Sequence, residues 1–436
     1  MAKKGRLMKH KTKTLLTITF LFISLSSADS AEPLQDEVQK LKTRLEQLEK
    51  KLATQETRNT EQDNLIENHT GVVKKLQSVS AALGNLEFSL GATSVVQGTV
   101  NNGDNYRRTP GIDQKGDDAD VSYSVDFEIG APIGKNGQAF IHIEAGEGDG
   151  LNDEVSGLTG VNADALGDSV DLEMAELWYE HSFMAGKIIT TVGKLDPVGY
   201  FDANEVANDE TSQFLADQFV NNIAVDFPDY TYGLRLSWFP ADWFELNLGA
   251  LESDSDYEDI FHDSFLIAEA VFKTKIRGLV GNYRFYAWGN YGDHEKIRDP
   301  LQNSKNGQGF GLSFDQQLSE NITGFCRYGQ QTNDIYAIER AWSAGFQVAG
   351  RKWSREDDTF GLAFGVADIT SAYRDIELRQ NGFGITPAEK RIEAYYRFHV
   401  NDQLAISPDF QWVDGLAGSA DADSVAIFGV RAQLDF

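Results

Sequence analysis

Near the end of the chain, in SVAIFGVRAQLDF (424–436), Phe428, Val430, Ala432, Leu434 and Phe436 fall on one parity while Arg431, Gln433 and Asp435 fall on the other. A period of two is the signature of a strand, whose successive side chains point to opposite faces. The pattern recurs along the chain. YSVDFEI sets Tyr123, Val125, Phe127 and Ile129 against Ser124, Asp126 and Glu128, and TYGLRLSW sets Tyr232, Leu234, Leu236 and Trp238 against Gly233, Arg235 and Ser237. FELNLGA opposes Phe244, Leu246, Leu248 and Ala250 to Glu245 and Asn247, and RIEAYYRFHV opposes Ile392, Ala394, Tyr396 and Phe398 to Arg391, Glu393, Tyr395 and Arg397. Segments of this kind lie near 86–101, 120–131, 137–145, 170–183, 187–196, 231–239, 243–251 and 264–274. Others lie near 278–291, 309–317, 321–331, 340–349, 358–369, 390–400, 403–413 and 424–436, which makes sixteen. One oily and one charged face suits a soluble sandwich with its oily side inward, or a membrane barrel with its oily side on lipid.

The connections separate the two. Short turns such as GKNG (134–137), FMAG (183–186), FPAD (239–242), LSEN (318–321) and VNDQ (400–403) alternate with long connections at 102–119, 146–169, 197–230, 292–308, 370–389 and 414–423. A sandwich gives no reason for this alternation, whereas an outer-membrane barrel has short periplasmic turns, long outside loops and an even number of strands. Aromatics at the strand ends fit the girdles at the two membrane interfaces. The expectation is an all-β transmembrane barrel of 16 antiparallel strands over 85–436, in the outer membrane of a Gram-negative bacterium, in contact with its lipid and closed by SVAIFGVRAQLDF.

Upstream the period changes. Residues 1–31 read as a signal peptide: a basic MAKKGRLMKHKTK, an apolar TLLTITFLFISL and a small-residue SSADSA, with cleavage expected after Ala28 or Ala31. From 32 to 84 an α-helical, periplasmic coiled coil is expected. Leu34, Val38, Leu41, Leu45, Leu48 and Leu52 step by four and three, the seam turns polar at Gln55, Asn59 and Gln62, and it resumes at Ile66, Val73, Leu76 and Leu83. Within it RLEQLE (44–49) resembles a short trimerisation signature, in which Arg44 reaches Glu49 of a neighbouring helix while Leu45 and Leu48 fill the seam. The reading is a homotrimer whose stalk extends toward the cell wall; a single helix packed on its own barrel is the alternative.

Charge narrows the function. A formal charge of −28 argues against nucleic acid as a partner. The single Cys326 rules out disulfides within the chain and Cys-based metal clusters. A mean hydropathy of −0.37 looks soluble, but alternation hides a barrel's membrane face. Parity places Asp126, Glu128, Glu144, Glu176, Glu180, Glu245, Glu269, Glu393 and Asp409 inside, with Lys194, Arg235, Arg284, Arg327, Arg397 and Arg431. Most of these suit an ordinary solvated lumen. A functional subset belongs at the narrowest point, which the longest loop, 197–230, sets if it folds into the barrel, the alternative being a cap on the outside; it carries Asp202 and Glu205 and a candidate helix capped by Asp209 or Thr211 ahead of SQFLADQF. The candidate constriction set is Glu176, Lys194, Asp196, Asp202, Glu205, Arg235, Glu245, Glu269, Arg284, Arg327, Glu393 and Arg397. The acidic run ESDSDYED (252–259) offers the oxygens a calcium ion takes and equally those of a solvated loop, so no metal is assigned. No GxSxG, HExxH, Walker or dinucleotide motif is present, so no catalytic residue and no cofactor are assigned.

VGKLDPVGYFDANEVANDETSQFLADQFVNN (192–222), EAYYRFHVNDQLAISPDFQW (393–412) and the terminal VRAQLDF together resemble the carbohydrate-selective porins of the OprB type, over most of 86–436. The resemblance implies a sixteen-stranded barrel and passive uptake of monosaccharides such as glucose, and it places Lys194 and Asp196 at the mouth of the third loop. Sugars need charged or amide partners for their hydroxyls and aromatic surface for their CH faces; Trp178, Tyr286, Trp288 and Tyr395 on the inner parity supply the latter. A porin selective for small sugars is the favoured function. A general or cation-preferring pore for other small polar solutes, motivated by the acidity, and a structural tether of the outer membrane to the cell wall are the alternatives.

The heptad reading predicts that a peptide of residues 34–83 associates in solution and that Leu45→Asp with Leu48→Asp reduces it to monomers. Sedimentation equilibrium decides, and a wild-type peptide that stays monomeric and unfolded at high concentration contradicts it.

Overall fold

The computed structural model describes residues 86–101, 117–155, 157–167, 172–256, 262–304, 307–380, 385–420 and 422–436, with 43, 44, 50 and 51 in the N-terminal part. Those four are helical. The rest of the signal peptide and coiled coil, including Leu45, Leu48 and Glu49, lies outside the described residues.

Sixteen strands form the barrel. In the first half they are β1 (Glu87–Val100), β2 (Ala119–Ile133), β3 (Gly137–Glu147), β4 (Glu173–Phe183), β5 (Ile188–Leu195), β6 (Thr231–Ala241), β7 (Phe244–Glu252), β8 (Ser264–Ile276) and β9 (Leu279–Asn290). Two short strands, β10 (His294–Lys296) and β11 (Asp299–Ser304), pair only with each other. The barrel resumes with β12 (Gly307–Ser319), β13 (Ile322–Gln331), β14 (Ile338–Ala349), β15 (Thr359–Ile369), β16 (Ala388–Asn401), β17 (Leu404–Asp414) and β18 (Val425–Asp435). All neighbours run antiparallel, and β1 pairs with β18 from Gly91↔Asp435 to Val100↔Ala426, so the sheet closes and leaves no edge. The sixteen expected segments are the sixteen barrel strands.

The faces follow the alternation. Val192, Leu234, Trp238, Leu248, Leu266, Phe310, Trp342, Phe428 and Val430 are exposed on the outside, while Ser124, Thr191, Ser237, Asn247, Ser313 and Gln411 are buried on the inside. At β3–β4 the register shifts between His142 and Ile143, leaving Ala175 as an extra residue. This bulge brings Glu173 and Glu176, of opposite parity, to the same interior. Opposite them Gly193 adopts φ +142, with its Cα facing the Leu177 carbonyl so closely that an added Cβ would lie 2.1 Å from that oxygen. Only glycine fits there.

The interior is not an open tube. Residues 196–230 fold inward, and Val206, Ala207, Phe214, Ala216 and Phe219 pack against Phe325, Ala363 and Tyr395 of the wall. Phe201 and Val225 pack on Leu251, Phe265, Ile267, Tyr286 and Trp288. Tyr286, Trp288 and Tyr395, expected to offer surface to a sugar, are therefore covered by the loop. A second connection, 148–167, also folds inward and sets Leu151, Val155 and Val161 against Val413, Leu416, Val425 and Ile427. Each of these large apolar side chains contributes about 1.5–3 kcal/mol by leaving water.

Three connections carry elements that alternation did not announce. The expected helix from Asp209 is a single turn closed by Gln213 N–H on the Asp209 carbonyl; the helix proper is Asp217–Val220. Asp209 nonetheless caps that turn, its Oδ1 accepting from the Thr211 and Ser212 amides at 2.9 and 3.2 Å. The 292–308 connection holds the β10–β11 hairpin, and 370–389 holds a helix, Ser371–Gln380.

Leu248 lies midway along β7 on the outer face. Leu248→Arg is expected to cost about 2–4 kcal/mol of folding free energy in a bilayer, as cations on the lipid face do near the midplane. Equilibrium refolding into vesicles measures it, and an unchanged midpoint would place that face off the lipid.

Candidate pore constriction

A chain folded inside a barrel carries amides and carbonyls that no neighbouring strand satisfies, and each must find a partner. The wall supplies them. Arg327 of β13 donates from Nη1 to the Phe219 carbonyl at 2.8 Å and from Nη2 to the Asp202 carbonyl at 2.9 Å and Asn208 Oδ1 at 3.2 Å. Its Nε stands 2.9 Å from Asp202 Oδ2, with both side chains fully buried. Arg431 of β18 donates to the carbonyls of Glu210 and Gln213 at 2.6 and 2.9 Å. Arg391 of β16 donates to those of Gly160 and Thr159 at 3.1 and 2.8 Å. Wall carboxylates hold the amides: Glu393 accepts from Leu215 and Ala216 at 2.5 and 3.0 Å, Glu269 from Asp202 at 2.9 Å, and Glu389 from Leu158 at 2.8 Å. A planar guanidinium with five donors suits carbonyls arriving from different directions, which a lysine's single ammonium would not span.

The expected site residues divide by place. Glu269, Arg327 and Glu393 of the wall lie buried beneath the third loop as its anchors, and Asp202, on the loop itself, is held by Glu269 and Arg327. Arg284 pairs with Asp315 at 2.6 Å and Glu245 with Lys273 at 2.9 Å, wall to wall. Arg235 meets Glu180 at 3.4 Å and stacks 4.4 Å from the Tyr200 ring centre. Arg397 is half-buried and Glu205 is exposed on the loop, its carbonyl accepting from Gln213 Nε2 at 3.1 Å. Lys194 donates to Glu173 and to the Met174 carbonyl, both at 2.9 Å, while Glu176 accepts from Trp178 Nε1 and from the Asp196 amide, both at 3.1 Å. Glu252, Asp254 and Asp256 bring carboxylate oxygens within 4.8 Å of one another at an outer loop, and Glu252 already accepts from Thr231 at 2.7 Å.

Among the described residues, two cavities lie beside the packed loops. One, of about 530 Å³, is lined by Glu144, Asp164, Glu173, Asp196, Glu210 and Asp229, with Ala163, Val198, Gly199, Asn208, Asn221 and Tyr230 among its other walls. The second, of about 320 Å³, lies toward the short-turn end and takes in Leu90, Asp126, Glu128, His142, Thr211, Gln433, Asp435 and Phe436. They meet at Glu144, Asp164, Glu210 and Tyr230, which line both. Their strand residues belong to β18 and β1 to β4, from Glu173 on the long-loop side to Leu90 and Asp435 on the short-turn side. Burial, aided by neighbouring carboxylates, pushes Asp164 and Asp196 up to about 7 and Glu210 up to about 8. Of the expected set only Asp196 lines this passage. Asp164 and Glu210 were missed because nothing in parity reports on loop residues. The inward fold of 148–167 did leave a trace: Leu151, Val155, Leu158 and Val161 are too apolar for a loop in water.

A closed sixteen-stranded barrel, apolar outside and narrowed by its own loops around a polar passage, defines an outer-membrane porin. The profile of the carbohydrate-selective porins, OprB family, matches residues 114–436, and the chain belongs to that family. The high-pH structure of Pseudomonas putida OprB is similar over 80% of this chain and 94% of its own at a TM-score of 0.69 and 17% identity. Its low-pH structure gives a TM-score of 0.51 at 15% identity over 84% and 97%. An uncharacterized protein of Aquifex aeolicus is 24% identical over 244 residues, 56% of this chain and 63% of its own. The porin AaxA of Chlamydia trachomatis is 20% identical over 273 residues, 60% of this chain and 55% of its own. The match thus spans less than two thirds of either curated relative.

Arg327→Ala would leave the Asp202 carboxylate buried without its guanidinium and several carbonyls without a donor, a loss of about 3–5 kcal/mol for a buried pair. The expected outcome is protease cleavage within 197–230 of an otherwise folded barrel. Lys390→Ala, which removes a half-exposed pair with Asp414, should leave the loop resistant. A resistant Arg327→Ala protein contradicts the anchoring.

Proposed function

We propose that this porin passes small polar solutes by passive diffusion, with monosaccharides among its cargo, through the two adjoining cavities. The observation that carries the reading is the pair of adjoining cavities, which share Glu144, Asp164, Glu210 and Tyr230 and lie between the inserted loops and the wall of β18 and β1 to β4. Its carboxylates and amides suit hydroxyl groups, and the Tyr230 ring offers a face to sugar CH groups. Several weak contacts in series let a solute leave as readily as it enters. Membership of a carbohydrate-selective family supports sugars as cargo, and barrel and family are those of a channel rather than an enzyme. The heptad seam supports the further proposal of a trimer whose stalk approaches the cell wall.

Swelling of liposomes that carry the purified protein tests the reading. Glucose should enter readily, and a trisaccharide such as raffinose much more slowly. Equal rates would favour a non-selective pore, and no swelling with any solute would end the pore reading.

A further inference from the structure

Resting on that pore reading, we propose that the passage selects polyols bearing a protonated amine, amino sugars included, over neutral and anionic ones of the same size. The first ground is how the lumen sorts its charges. Among the described residues, carboxylates line both cavities and no lysine or arginine does; His142, 2.9 Å from Asp126, is the one basic side chain there. The cations have been used elsewhere. Arg327, Arg391 and Arg431 point their donors at loop carbonyls, Arg235 is held by Glu180 and Tyr200, and Lys194 is turned onto Glu173 and the Met174 carbonyl. A solute in the passage therefore meets carboxylates and His142 but no lysine or arginine.

The second ground is an unfilled acceptor. Asp164 is 6% exposed and lines both cavities; its Oδ1 accepts from Ser124 Oγ at 2.8 Å, while its Oδ2 has no hydrogen-bond partner among the described residues. A buried acceptor without a donor costs about 1–3 kcal/mol, which a protonated amine would offset if the carboxyl turns toward either cavity to meet it. A low-dielectric passage lined by one sign of charge concentrates the opposite ion.

The sign of the pH dependence follows. Asp164, raised to about 7, is faced by Ser124, Asp126, Glu144 and Arg431; Asp196, raised to about 7, by Glu176 and Asp229; and Glu210, raised to about 8, by Asp209, Asp164 and Asp196. All three are largely protonated at pH 5 and largely ionised by pH 9, so the attraction for cations strengthens as pH rises through that window.

The test uses the full-length protein in planar bilayers and liposomes, with three open-chain probes of one size: N-methylglucamine as cation, sorbitol as neutral polyol and gluconate as anion. At pH 8.5 the reversal potential in a gradient of N-methylglucamine gluconate should report a cation-to-anion permeability ratio of at least about tenfold. The ratio should fall several-fold at pH 5, and at pH 8.5 it should fall several-fold in Asp164→Asn with Glu210→Gln. Asp229→Asn, at the exposed rim, provides a second variant should that pair not fold, as judged by heat-modifiable migration on gels. A ratio near one or below at pH 8.5, or a ratio that neither pH nor either variant moves, overturns the proposal. If sorbitol enters the liposomes under those conditions, the pore reading stands and this inference alone fails. If neither sorbitol nor either ion passes, the pore reading fails with it.

Discussion

Once 196–230 and 148–167 turn into the barrel, the structure depends on arginine side chains meeting loop carbonyls. A strand ladder satisfies its own amides and carbonyls, but an inserted loop has no ladder, and inside a barrel an unmet polar group cannot fall back on bulk water. Arg327, Arg391 and Arg431 each project from the wall and bond to carbonyls that point at them from the loop. Glu393, Glu269 and Glu389 do the same for amides. The apolar packing of Phe214, Phe219 and Phe201 supplies most of the driving force for insertion, and these polar anchors decide where each loop comes to rest.

This division of labour shapes the passage. A lumen of mixed sign would offer a passing solute both charges. Here the guanidinium groups turn toward backbone, and what is left facing the cavities is acidic. The same arrangement accounts for the burial of Tyr286, Trp288 and Tyr395, which the loops use as floor. Tyr230, at the loop's return to the wall, is an aromatic that keeps a face on the passage. The surface that faces the cavities is thus built from loop residues more than from the aromatic wall.

The barrel was legible in the sequence because period-two alternation and the rhythm of short and long connections depend only on the membrane and the wet interior, which act on every strand alike. The inward fold of 197–230 was partly legible, since Phe214, Leu215 and Phe219 have no business in a solvated loop. The roles of the inner charges were not. Parity puts Arg327 and Glu144 both on the inner face, yet one lies sealed beneath a loop and the other lines both cavities. That difference is set by tertiary packing between residues more than a hundred positions apart, which no local pattern carries. The bulge at Ala175, which brings Glu173 alongside Glu176, is equally invisible to an alternation count.

The claim at the centre of this account is that the third loop descends through the lumen rather than capping it. Thr211 on that loop meets Gln433 of the closing strand, with Gln433 Nε2 donating to Thr211 Oγ1 at 3.2 Å, near the short-turn end. Thr211→Cys and Gln433→Cys in a Cys326→Ser background, treated with a short bifunctional thiol reagent in intact outer membranes, test it directly. An internal crosslink should form in the folded barrel and be lost when Arg327 is also replaced by alanine. Two cysteines that react singly and never join would contradict it, and would place the loop outside the barrel it is said to narrow.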